Sequence, residues 1–129
     1  MKVFRILVID DEKPILRMLD MALSGKGYQV DTADSGEEGL KRLQSNDYDL
    51  VITDMVMGKM SGEDVLLQVR ELKGDSLPVI AMSGTPWLMD KLLFDAVLPK
   101  PYTLKELFET VQNSLSPTGD FIPVTWARP

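Results

Sequence analysis

The chain has no cysteine and no histidine among its 129 residues. The first absence excludes disulfides, a thiolate nucleophile and zinc held by cysteine. The second excludes a Ser-His-Asp triad, a histidine-ligated metal and an internal phosphohistidine. Positive charge is scarce: 14 Lys and Arg stand against 20 Asp and Glu, a net charge of −6. Phosphate backbones and anionic membranes attract clustered cations, so this balance argues against nucleic acid or a membrane as partner. No apolar run approaches the ~20 residues that cross a bilayer. The opening Met1-Lys2-Val3-Phe4-Arg5 lacks a signal peptide's apolar stretch. A cytoplasmic protein is expected.

What is present suits one folded domain. The length is one domain's worth, and 44% hydrophobic residues can build a core. Phe4 to Ile9 is a β-rich run ending at Asp10-Asp11, and so uniformly apolar a run suits a strand buried on both faces. Pro14 can open a helix, Ile15, Leu19, Ala22 and Leu23 keep helical spacing, and Gly25 and Gly27 close it. Tyr28–Ala33 reads as a second strand, and Ser35 caps a helix through Leu43. Leu50–Thr53 is a third strand ending at Asp54, followed by a loop holding Gly58 and Gly62. A helix carries Val65, Leu66, Val69 and Leu72 as far as Gly74. Pro78–Met82 is a fourth strand closing on Ser83-Gly84, and a short helical stretch spans Trp87 to Phe94. Ala96–Pro99 is a fifth strand ending at Lys100-Pro101. Thr103 caps a last helix, with Leu104, Leu107, Phe108, Val111 and Leu115 as its stripe. Residues 1–115 are read as the domain, and 116–129, with three prolines and a glycine, as a tail or linker. The methionines read as core filler, with Met55 and Met57 as exceptions.

Strands alternating with helices mean βαβ units and a doubly wound parallel sheet. Ligands bind such sheets at the C-terminal strand ends. Asp10, Asp11, Asp54, Ser83 and Lys100 all fall there. In the flavodoxin-like order 2-1-3-4-5 the strands that carry them are neighbours, so the five side chains converge. Three carboxylates beside one lysine repel one another unless a cation intervenes. Mg²⁺ suits oxygen ligands and keeps room for a substrate phosphate.

The pieces Ile6-Leu7-Val8-Ile9-Asp10-Asp11-Glu12, Leu50-Val51-Ile52-Thr53-Asp54-Met55, the Met57 to Gly62 loop, Ala81-Met82-Ser83-Gly84 and Pro99-Lys100-Pro101 stand in fixed order at the strand ends. With them the chain resembles response-regulator receiver domains of two-component signalling, over roughly residues 3 to 115. The resemblance implies that Asp54 is the phosphoacceptor. It implies that Asp10, Asp11, Asp54 and the backbone carbonyl of Val56 hold Mg²⁺. It assigns Lys100 and Ser83 to the phosphoryl oxygens, and it makes the Lys100–Pro101 bond cis. It further implies a switch that catalyses only its own phosphorylation and dephosphorylation. The donor is a histidine kinase or phosphotransfer protein acting in trans, and the state passes to a downstream effector or a homodimer. Two departures stand out. Val97 occupies a position where the family usually has an aromatic that turns inward. Only 17 residue steps separate Ser83 from Lys100, so the fourth helix should be shortened.

Two other readings compete. An inert pseudo-receiver that only binds partners conflicts with an intact set of Asp10, Asp11, Asp54, Ser83 and Lys100. A haloacid-dehalogenase-type phosphatase also uses an aspartate nucleophile with Mg²⁺. It wants a second acid two residues on, where this chain has Val56.

Overall fold

The computed structural model describes residues 2–86 and 94–116. Five strands, β1 (Arg5–Ile9), β2 (Gln29–Ala33), β3 (Leu50–Asp54), β4 (Val79–Ser83) and β5 (Ala96–Pro99), form one sheet. Every pair is parallel and the order is β2-β1-β3-β4-β5. This is the doubly wound, flavodoxin-like arrangement expected from the sequence. The helices among the described residues are α1 (Lys13–Ser24), α2 (Gly36–Ser45), α3 (Gly62–Lys73) and α4 (Leu104–Leu115). The shortened helix expected after the fourth strand, Trp87 included, falls almost wholly outside the described residues. So does Trp126.

Strand alternation sends successive side chains to opposite faces. Ile6, Val8, Leu50 and Ile52 meet Leu19 and Leu23 of α1 and Leu107 and Val111 of α4 on one face. Leu7, Ile9 and Val51 meet Leu43 of α2 and Val65 and Val69 of α3 on the other. Every residue of the central strands β3 and β4 is buried, as a sheet covered on both faces requires. Each large apolar side chain removed from water contributes about 1.5–3 kcal/mol.

Side-chain caps fix where α2, α3 and α4 start. Ser35 accepts from the Glu38 N–H at 3.1 Å, as expected. Thr103 accepts from the Glu106 N–H, and Glu106 reciprocates to the Thr103 N–H. Ser61 and Asp64 make the same reciprocal pair at the start of α3. Some expected core positions are not core. Leu72 is 43% exposed and Leu104 53%. Both stand in terminal turns, where the apolar stripe runs past the covered part of the helix. Met82 is core filler as expected, but Met18 and Met21 lie exposed on α1.

Candidate functional site

The parallel ladder places the candidate residues. Asp54 and Ser83 are the last residues of β3 and β4, Asp10 follows β1, and Lys100 follows β5. Backbone bonds extend the ladder past the strand ends: Met55 N–H to Met82 C=O at 3.1 Å, and Lys100 N–H to Ser83 C=O at 2.8 Å. The Lys100–Pro101 peptide is cis, as the resemblance implied. Asp10, Asp54 and Ser83 are all buried at 5% exposure or less. The Lys100 ammonium donates to Asp54 Oδ1 at 2.7 Å, and the Met55 N–H donates to the same oxygen at 3.0 Å. Asp54 Oδ2 makes no hydrogen bond among the described residues.

The acidic side centres on Asp10. Its carboxylate accepts from the Glu12 N–H at 2.9 Å. It does not cap α1, whose N-cap is Glu12 without a side-chain hydrogen bond. That removes helix capping as the explanation of the acidic pair. Burial pushes the Asp10 carboxyl up to about 6; the Glu12 N–H opposes this, the Asp54 charge adds to it, and Lys100 counteracts it. Oxygens of Asp10, Asp11 and Glu12 lie within 4.8 Å of one another. Asp54 is not in that tight group; its Oδ1 accepts from Lys100. Glu12 is a member that the sequence reading did not single out; three consecutive acids were the available signal. The donors are all hard oxygens around a carboxyl that burial keeps from ionising easily. That chemistry fits a small divalent cation.

The Ser83 hydroxyl accepts from the Thr85 N–H at 3.0 Å and lies 3.4 Å from the Thr85 hydroxyl. Val97 is half-buried and offers no ring. An aromatic that does stand at this end of the sheet is Tyr102, whose hydroxyl reaches Met82 Sδ at 3.9 Å. Burial first, then the charges of Asp10 and Asp54, push its phenol up to about 12. This ring, two residues past Lys100, lies near enough to both acids to feel their charge, and no sequence signal marked it. Gly62, a loop glycine by sequence, packs directly against the end of β3. A Cβ there would stand 2.5 Å from the Asp54 carbonyl oxygen and 2.9 Å from Met55 Cα.

Residues 6–112 match the family model described as the response regulator receiver domain. The response regulator MprA of Mycobacterium sp. (strain KMS) is 33% identical over 120 residues, covering 89% of this chain and 52% of that protein. The transcriptional regulatory protein DltR of Streptococcus agalactiae is 36% identical over 113 residues, covering 84% and 50%. The chain thus spans about half the length of these curated relatives. Among solved structures, the response regulator TrrA of Thermotoga maritima, in complex with Mg²⁺-BeF, superposes with a TM-score of 0.80 at 37% identity. It covers 88% of this chain and the whole of that one. A receiver domain protein of Clostridium thermocellum gives the same TM-score at 34% identity, covering 88% and 94%. The sheet order, the converging strand ends and these matches agree: the chain belongs to the response-regulator receiver domain family of two-component signalling.

Proposed function

We propose that this chain is a phosphorylation switch in which Asp54 accepts the phosphoryl group. The observation that carries the reading is the 2.7 Å contact between Lys100 Nζ and Asp54 Oδ1 at a buried strand end. A carboxylate so held is aimed for in-line attack on phosphorus. The donor's bond to phosphorus breaks, and its electron pair leaves with the donor. Phosphoryl transfer needs mainly positioning and neutralised charge. Lys100 is free to pass from the carboxylate to a phosphoryl oxygen, and the Ser83 hydroxyl donates to another. Asp10, Asp11, Asp54 and the Val56 carbonyl would hold Mg²⁺, which when bound supplies charge neutralisation for the phosphoryl oxygens.

With no histidine in the chain, the phosphoryl donor is a histidine kinase or phosphotransfer protein acting in trans. The chain is a switch and turns over no separate substrate. Output passes to an effector or to a second copy. Residues 1–115 form the module and 116–129 a tail or linker; α4 ending at Leu115 supports that division. No helix among the described residues is long and apolar enough to cross a membrane, and we place the protein in the cytoplasm.

The test is chemical. Acetyl phosphate with Mg²⁺ should add one phosphoryl mass to the intact chain. The adduct should be cleaved by base and by hydroxylamine, as an acyl phosphate is. An adduct of the same mass and lability on Asp54→Asn would show that another residue is the acceptor.

A further inference from the structure

One groove, of about 450 Å³, is lined from both sides of the sheet. Lys13 and Arg17 of α1 form one wall, and Glu38 and Arg42 of α2 the other. These helices cover opposite faces. A groove shared by both must therefore pass around the sheet's margin. The strand at that margin is β2, and Thr32 lines the groove.

The margin is chemically open. The Gln29 N–H donates to Phe4 C=O, and the Ala33 C=O accepts from the Asp10 N–H, so both residues address β1. In a parallel ladder alternate residues face alternate neighbours. Val30 and Thr32 therefore turn their N–H and C=O groups outward, and no hydrogen bond to them is found among the described residues. An edge with unpaired backbone groups is a template for another strand.

The walls state what kind of strand fits. Three cations gather here in a chain of net charge −6. Lys13 and Arg17 make no ion pair among the described residues. Arg42 Nε is buried with no hydrogen-bond partner, and its nearest acid, Glu38, lies 3.9 Å away. Asp34 and Glu38 offset two of these charges and leave a cationic excess of one. Apolar lining is confined to Leu16 and Ala33. Sites for small ligands are mostly apolar and enclosed, and this groove is neither. We infer that the open edge of β2 is a docking site for an extended, acidic segment of a partner protein, which adds as a further strand and sets its carboxylates against Lys13, Arg17 and Arg42. The surface is separate from the Asp54 pocket, and the inference stands whether or not Asp54 is the phosphoacceptor.

A capped peptide of alternating Glu and Val, six residues long, is a sufficient probe. Titrated into the ¹⁵N-labelled full chain, it should move the amides of residues 30–34 and slow hydrogen exchange at Val30 and Thr32. Methylating alternate amide nitrogens of the peptide should weaken binding at least about tenfold, because strand addition needs those donors. The Arg17→Glu, Arg42→Glu double variant should weaken it by a similar factor, and added salt should weaken it further. A Lys-Val peptide should not bind. The N-methyl arm changes only the probe, so it holds even if the double variant folds poorly. Equal binding of the methylated peptide, equal binding of the Lys-Val peptide, no binding at millimolar concentration, or shifts centred away from β2 would each overturn the inference. The cations would then serve only to guard an exposed edge.

Discussion

Replacing Gly62 with alanine should damage the fold around Asp54, whereas the same change at Gly58 should be harmless. At Gly62 the added Cβ meets the Asp54 carbonyl oxygen at 2.5 Å and Met55 Cα at 2.9 Å. Ordinary C···O contacts begin near ~3.3 Å, so roughly 0.8 Å must be found by moving backbone. Neither atom sits on a side chain that can rotate away, and β3 is buried throughout. Overpacking of this kind costs about 1–3 kcal/mol. Alanine's better helix propensity offsets at most ~1 kcal/mol in a helix interior and less at the first helical position. Gly62 has no positive φ, so space and not backbone conformation demands the glycine. At Gly58 nothing lies within 4 Å of a new Cβ. Alanine there should be neutral, or stabilise by a few tenths of a kcal/mol through the unfolded chain. Urea unfolding decides the matter. With a slope of about 2 kcal/mol/M, Gly62→Ala should lower the midpoint by about 0.5–1.5 M and leave the slope unchanged. Phosphoryl uptake from acetyl phosphate should slow with it, since the displaced backbone carries Asp54. Two variants of equal midpoint would refute the packing argument.

Mg²⁺ should raise the melting temperature by mass action on the folded state, and Asp11→Ala should remove most of the rise; an undiminished rise would place the ion elsewhere. Asp10 is held near 6 by burial, so its proton is bound more tightly in the fold than in the unfolded chain. Its contribution is full below about 3.8 and is lost as pH rises through about 6. Metal-free Asp10→Asn should therefore be more stable than the parent at pH 7, by up to ~3 kcal/mol, and calorimetry at pH 4 and pH 7 should show the gap only at the higher pH. Tyr48, buried and hydrogen-bonded to Asp31 at 2.6 Å, is pushed up to about 12, chiefly by burial. Its share of stability is complete below pH 10 and lost as pH rises through 12. Tyr48→Phe should flatten the decline over that interval relative to the parent, and parallel curves would contradict the assignment.

Strand ends, and the meeting of Asp54 with Lys100, were legible because largely apolar runs stop at Asp10, Asp54 and Lys100. The strand order followed from the flavodoxin-like arrangement that alternating strands and helices suggest. A five-residue strand leaves little freedom in register, so residues at strand ends had to converge. Ser35 and Thr103 were legible as caps for a similar local reason. Tyr102 was not, because its place against Met82 depends on how the chain turns after Lys100. The distinction between Gly58 and Gly62 was equally hidden: both read as loop glycines, and only tertiary contact separates them. Leu72 and Leu104 matched a helical stripe, but periodicity says nothing about how far a sheet extends beneath a helix. The groove along β2 lay beyond the sequence because its walls come from helices on opposite faces.

The bond from the Lys100 N–H to the Ser83 C=O ties off the connection between these residues like a drawstring. Whatever the chain does between positions 84 and 95, its two ends meet at a distance that the sheet sets. Doubling the length of such a loop costs only about 0.6 kcal/mol in closure entropy. The surface offered by that segment is thus free to be shortened, lengthened or exchanged while Asp54, Ser83 and Lys100 keep their spacing. A brief connection of 17 steps and a functioning site are compatible for this reason. Grafting a longer connection from another receiver between Gly84 and Asp95 should preserve phosphoryl uptake and change which partner reads the state.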